Sequence, residues 1–206
     1  MNVTDKLKFG MPVTIVCLGD SITFGYKPNV RGVEQVEIPY PTMLEKLLKE
    51  KYKYDDIVVI NSGVPGWQIG QALKNIDEKV LDFKPDMCII MYGINDARGS
   101  LAGGLPLLKS MYELKYKMVL DKLLENKIQP LLLTATYAHA WRLEEFVCIV
   151  KKIGDDYQIP VVNNYEGVIK LVEELQLSMK DALPDKIHLR EDLYKYIAIN
   201  IMDQEF

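Results

Sequence analysis

Cysteine and histidine are both scarce in this chain: three of the first and two of the second among 206 residues. Cys17, Cys88 and Cys148 cannot all pair, none stands in a C-x-x-C, and each has apolar neighbours, as in Val16-Cys17-Leu18. They read as small buried core residues of a reducing compartment, not as a disulfide framework. With only His139 and His188 present, neither at ligand spacing with a cysteine, a zinc site is all but excluded and no metal is expected. No apolar run approaches the roughly 20 residues that cross a bilayer. The start, Met1-Asn2-Val3-Thr4-Asp5-Lys6, lacks the apolar core of a signal peptide. A cytoplasmic protein without a membrane span is the expectation, with a trimmed signal left open.

Positive charge is also lacking. Lys and Arg number 25 against 29 Asp and Glu, a formal charge of −4. No basic stripe marks a nucleic-acid partner; lysines such as Lys46, Lys49, Lys51 and Lys53 are scattered along a helical stretch as a solvated face. Neither G-x-G-x-x-G nor G-x-x-x-x-G-K-[ST] occurs, so no phosphate-cradling loop is signalled, and the G-x-S-x-G elbow of common esterases is absent too.

What remains is a globular composition, 49% hydrophobic, at a length that suits one domain over residues 1–206. Short β-branched runs at residues 12–18, 56–60, 87–92, 131–136 and 160–162 read as strands. They are continuous and not alternating, as in a parallel sheet covered on both faces. Helical patterns lie between them: one with a capping box at Thr42-Met43-Leu44-Glu45, then residues 69–83, 107–124, 141–157 and 165–177. A last helix from about Arg190 carries Leu193, Ile197 and Ile201 on one stripe. The alternation predicts a three-layer α/β/α sandwich, in which ligands bind beyond the carboxyl ends of the strands.

The strand ends carry the chemistry. Gly19-Asp20-Ser21-Ile22-Thr23-Phe24-Gly25 follows the first, Asn61-Ser62-Gly63-Val64-Pro65-Gly66-Trp67 the second, and Gly93-Ile94-Asn95-Asp96 the third. Near the C-terminus stands Asp185-Lys186-Ile187-His188. Each alone has an ordinary structural explanation: a helix cap, a glycine turn, a polar turn, a surface histidine. The last has mechanical content as well. A spacing of three can set carboxylate and imidazole on one side of a turn, so that the acid fixes the tautomer leaving Nε2 as a base. A nucleophile, a base with its orienting acid and candidate oxyanion donors thus fall in four segments that the sheet brings together.

In these four blocks, taken in order from residue 19 to 188, the chain resembles the SGNH hydrolases, also called the GDSL-like lipase/acylhydrolase family. Its serine block reads Gly-Asp-Ser-Ile where the family has Gly-Asp-Ser-Leu, a change that touches no catalytic atom. The resemblance implies a flavodoxin-like parallel five-stranded sheet in the order 2-1-3-4-5 and a serine ester hydrolase with no cofactor and no metal. It implies Ser21 as nucleophile, His188 as base and then acid, and Asp185 as the orienting carboxylate. The oxyanion hole would be built from the Ser21 N–H, a glycine N–H and the Asn95 amide. Gly63 and Gly66 both lie in the glycine block; Gly66, five residues after Asn61, is preferred. Asp20 reads as a structural member of the serine turn.

The expected partner is a small-molecule ester, with no nucleic acid and the oligomeric state open. No long apolar insertion suggests a lipid tunnel, which favours short-chain or acetyl esters of carbohydrates or related small molecules. The alternatives are a lysophospholipase or thioesterase-type acylhydrolase, and a non-catalytic carbohydrate- or lipid-binding module on the same fold. Three segments are candidate cleft walls or plain connections: residues 26–41, residues 98–106 with Gly103-Gly104, and residues 137–141 with His139. Arg98 is a candidate contact for an acidic or sugar group.

Overall fold

A computed structural model describes residues 1–99 and 105–204. Five parallel strands form one sheet: β1 (Val13–Gly19), β2 (Ile57–Gly63), β3 (Met87–Met91), β4 (Gln129–Leu133) and β5 (Val161–Val162). Their order is β2-β1-β3-β4-β5, the expected one. All of β3 and nearly all of β1 are buried, which is why those runs are apolar at every position. β2 lies at an edge and leaves Val58 open to solvent.

Helices Tyr40–Tyr52, Asn164–Glu174 and Tyr194–Met202 pack as one group, and Ile69–Lys74, Lys109–Glu125 and Leu143–Tyr157 as another. Right-handed crossovers put the two groups on opposite faces, because the chain reverses its direction across the sheet after β2. Leu44 and Leu48 of the first group are fully buried, each contributing about 1.5–3 kcal/mol. The reversal opens a crevice at the carboxyl ends of β1 and β3, and the serine and asparagine blocks leave the sheet there.

Several boundaries differ from the sequence expectation. The helix expected over residues 69–83 is three pieces, Ile69–Lys74, Ile76–Lys79 and a 3₁₀ turn Leu81–Phe83. Asn75 ends the first by turning its side-chain amide onto the Gln71 carbonyl at 2.8 Å, the competition with backbone that disfavours Asn inside helices. The capping box at Thr42 is not used. The helix starts at Tyr40 behind Pro39, with Pro41 in its first turn, where a missing N–H costs nothing. Glu45 accepts instead from the Val59 N–H at 2.8 Å. Tyr40 is therefore a core residue and not part of a cleft wall. Helices Val3–Lys8 and Met179–Ala182, too short for a periodic signal, were not expected; Asn2 and Ser178 cap them. Cys17 and Cys88 are buried, but Cys148 is on the exposed side of its helix.

β2 runs on to Gly63, through residues that the sequence suggested as turn. Gly63 pairs with Gly19 across β1, and a Cβ there would lie 2.2 Å from the Phe24 backbone nitrogen. The serine turn packs directly on this glycine. Gly63→Ala is expected to lower the unfolding free energy in urea by about 3 kcal/mol, the upper end for overpacking, since backbone cannot move aside as a side chain can.

Candidate active site

β1 delivers the chain to Asp20, whose Oδ1 accepts from the Ile22 N–H at 2.9 Å and so caps the one-turn helix Ser21–Phe24. Gly25 ends that turn at φ 83°, a conformation glycine adopts without strain. Asn61 braces the turn from β2. Its Nδ2 donates to the Phe24 carbonyl at 3.3 Å, and its Oδ1 accepts from the Gly63 N–H at 2.9 Å.

The histidine block comes from far along the chain and is held by its own carboxylate. Asp185 Oδ1 accepts from the Ile187 N–H at 3.0 Å and the His188 N–H at 2.8 Å. Its Oδ2 lies 2.6 Å from His188 Nδ1. His188 Nε2 then lies 2.8 Å from Ser21 Oγ. A carboxylate can only accept, so Nδ1 carries the proton and Nε2 faces the serine as an acceptor. Burial by itself pushes the Asp185 carboxyl up, but the His188 hydrogen bonds and charge and the Ile187 N–H together hold it below its ordinary value. The arrangement can take a proton from the hydroxyl as it attacks and stabilise the imidazolium that results.

Ser21, His188 and Asp185 line a cavity of about 410 Å³ together with Tyr26, Val33, Pro65, Gly66, Asn95, Arg98 and Ile187. Asn95, from helix Ile94–Arg98, donates one amide hydrogen to the Trp67 carbonyl at 3.0 Å. An amide NH₂ has two hydrogens to donate. Gly66 meets the cavity at φ 81°, whereas the Gly63 N–H is taken by Asn61 and Gly63 is not among the lining residues.

Two residues here were not singled out in the sequence, although Tyr26 opens one of the candidate walls. Tyr26 lays its ring over His188, with centroids 4.4 Å apart, and its OH donates to the Gly32 carbonyl at 3.0 Å. Gln68, buried beneath the glycine turn, donates from Nε2 to the Asn95 carbonyl at 2.9 Å and the Leu105 carbonyl at 2.8 Å. It ties the two segments that hold Gly66 and Asn95. A capping pattern, Gln68 with Gln71, was the available clue.

Two buried carboxyls lie behind the site. Burial pushes Asp20 up to about 6, despite the Ile22 N–H and the charge of His188. Burial, with the charge of Asp20 adding to it, pushes Asp96 up to about 7. Asp96 Oδ1 accepts from the Ile69 N–H at 3.0 Å; Oδ2 has no partner among the described residues. Both raised values mean that folding favours the protonated acids. Their contribution is fully present below pH 3.8 and is lost as pH rises through about 6 and 7.

Of the three candidate walls, residues 26–41 supply Tyr26 and Val33, and residues 98–106 supply Arg98. Gly103 and Gly104 lie outside the described residues. Residues 137–141 supply none of the lining; they border a separate hollow of about 640 Å³ with Tyr165. His139 is exposed there, its N–H donating to the Lys186 carbonyl at 2.8 Å. Among the described residues no group of three metal-ligating side chains occurs, and no helix is long and apolar enough to cross a membrane.

Residues 17–196 match the model of the GDSL-like lipase/acylhydrolase family. Among solved structures, the chain is similar to the lipase/acylhydrolase from Enterococcus faecalis, at 24% identity and a TM-score of 0.71 over 92% of this chain and 93% of that one. It is similar to the acetyl xylan esterase AlAXEase, at 22% identity and 0.75 over 92% and 98%. It is also similar to a catalytic mutant of Axe2, an acetylxylan esterase from Geobacillus stearothermophilus, at 20% identity and 0.76 over 92% of each chain. At such identities these likenesses establish the fold. No curated protein matches the sequence.

Proposed function

Because this chain belongs to the GDSL-like lipase/acylhydrolase family and is a carboxylic ester hydrolase, we propose that it cleaves short-chain esters through Ser21, His188 and Asp185. The observation that carries this reading is the unbroken chain of hydrogen bonds from Ser21 Oγ through the His188 ring to Asp185.

In this reading, His188 Nε2 takes the Ser21 proton as Oγ attacks the ester carbonyl, and Asp185 stabilises the imidazolium. The C=O electrons move onto oxygen. The negative charge there is met by the Ser21 N–H, the Gly66 N–H and the second hydrogen of the Asn95 amide. Such donors act more strongly on the transition state than on the ester, and losing one typically costs about 10²–10³ in rate. The tetrahedral species expels the alcohol, which takes the proton back from His188. Water then attacks the acyl-serine by the same route and releases the acid. Gly66 is favoured over Gly63 because it lines the cavity with Ser21 and Asn95, while Gly63 is not among the described lining residues.

The short acyl preference rests on the cavity. About 410 Å³ is near the small end of ligand sites, roughly 300–1,000 Å³, and among the described residues its aliphatic walls are Val33, Pro65 and Ile187. Two of the similar structures are acetyl xylan esterases, which supports acetylated carbohydrates as substrates. On p-nitrophenyl acetate, butyrate, octanoate and palmitate, kcat/KM is expected to peak at acetate or butyrate. A maximum at palmitate would replace this reading with a long-chain acylhydrolase.

A further inference from the structure

Arg98 ends the helix that carries Asn95 and stands three residues after it. Residues at this spacing share one side of a helix. The arginine lines the same cavity as Ser21, His188 and Asn95, and its side chain is half-buried. Two other arginines are gripped by carboxylates in two-pronged pairs. Arg142 holds Glu145 at 2.7 and 3.2 Å, and Arg190 holds Asp192 at 2.6 and 2.9 Å. Arg98 makes no such pair with any described residue. The one carboxylate among the described lining residues of the cavity, Asp185, is committed to the His188 ring and two backbone N–H groups.

A guanidinium stays charged throughout the working pH range and offers a planar fork of donors that fits carboxylate or phosphate oxygens. The same cavity also presents Val33, Pro65 and Ile187, and apolar surface beside a charge lowers the local dielectric and strengthens a charge–charge contact. A neutral hydroxyl accepts one such hydrogen bond but leaves the charge unmatched. Building on the esterase reading above, we propose that Arg98 is an anion subsite: the substrate carries a carboxylate or phosphate a few bonds from the ester carbonyl.

The anion can sit on the acyl side or the alcohol side, and two matched pairs of esters separate these. Monoethyl succinate is compared with ethyl butyrate, and an O-acetylated methyl glucuronide with the O-acetylated methyl glucoside. In at least one pair the charged member is expected to have a kcat/KM tenfold or more higher, chiefly through a lower KM. Arg98→Ala is expected to cut that ratio at least tenfold, and Arg98→Lys to keep part of it. A ratio at or below one in both pairs overturns the proposal, as does a ratio that Arg98→Ala leaves unchanged. Failure of the unaltered enzyme to turn over any of the four esters counts against the short-acyl reading itself.

Discussion

Ser21→Ala is expected to lower kcat/KM for p-nitrophenyl acetate by about 10⁵-fold or more, the loss typical of a serine hydrolase without its nucleophile. The fold should survive. Among the described residues the Ser21 side chain has one hydrogen-bond partner, the His188 ring, and the turn around it is held by Asp20, Asn61 and backbone bonds, not by the hydroxyl. The urea unfolding free energy should therefore change by less than about 1 kcal/mol, the usual range for a substitution that leaves no cavity and strands no buried group. A fluorophosphonate gives a second readout. Attack by Oγ on phosphorus expels fluoride and leaves a stable adduct, so the unaltered chain should label at Ser21 and the variant should not. Turnover by Ser21→Ala near that of the unaltered chain would remove the serine from the mechanism. Labelling of neither chain would favour a binding module on this fold.

The strands and the four blocks were legible because each is a local pattern, while the sheet order was implied by the family resemblance. A run of β-branched residues followed by a polar or glycine-rich turn is written in adjacent positions, and the parallel sheet gathers such turns at one edge. What was not legible depends on contacts between distant segments. Tyr26 reaches His188 because residues 26–36 fold back on themselves, through a bridge between Tyr26 and Gln35. No spacing rule encodes that return. The two glycines of the second block are alike in sequence; packing against Phe24 assigns one to the fold, and the cavity takes the other. Asn75 and Pro39 show the same limit at helix ends, where one side chain or one missing N–H outweighs a periodic apolar stripe.

Asp185→Asn is the second large loss, about 10⁴ in kcat, and it separates orientation from mere presence of a side chain. Asp185 has two tasks on two oxygens: Oδ1 holds the Ile187 and His188 N–H groups, and Oδ2 meets the His188 ring. Asparagine keeps an oxygen for the first task, which fixes its NH₂ against Nδ1. That nitrogen must then accept, so the ring proton moves to Nε2 and points at Ser21. The histidine stays in place, but as the wrong tautomer for a base. Asp185→Ala loses both tasks and strands two N–H groups, so it should be less stable than Asp185→Asn by about 1–3 kcal/mol in urea. Acid titration adds a third difference. The Asp185 carboxyl is held below its ordinary 3.8, so its charge stabilises the fold above that pH and the benefit is lost as pH falls through the lowered value. Asp185→Asn has no such proton to bind, and its stability should decline less than that of the unaltered chain across that acid range. If Asp185→Asn keeps kcat within tenfold, the carboxylate serves the turn alone and the base needs no orienting partner.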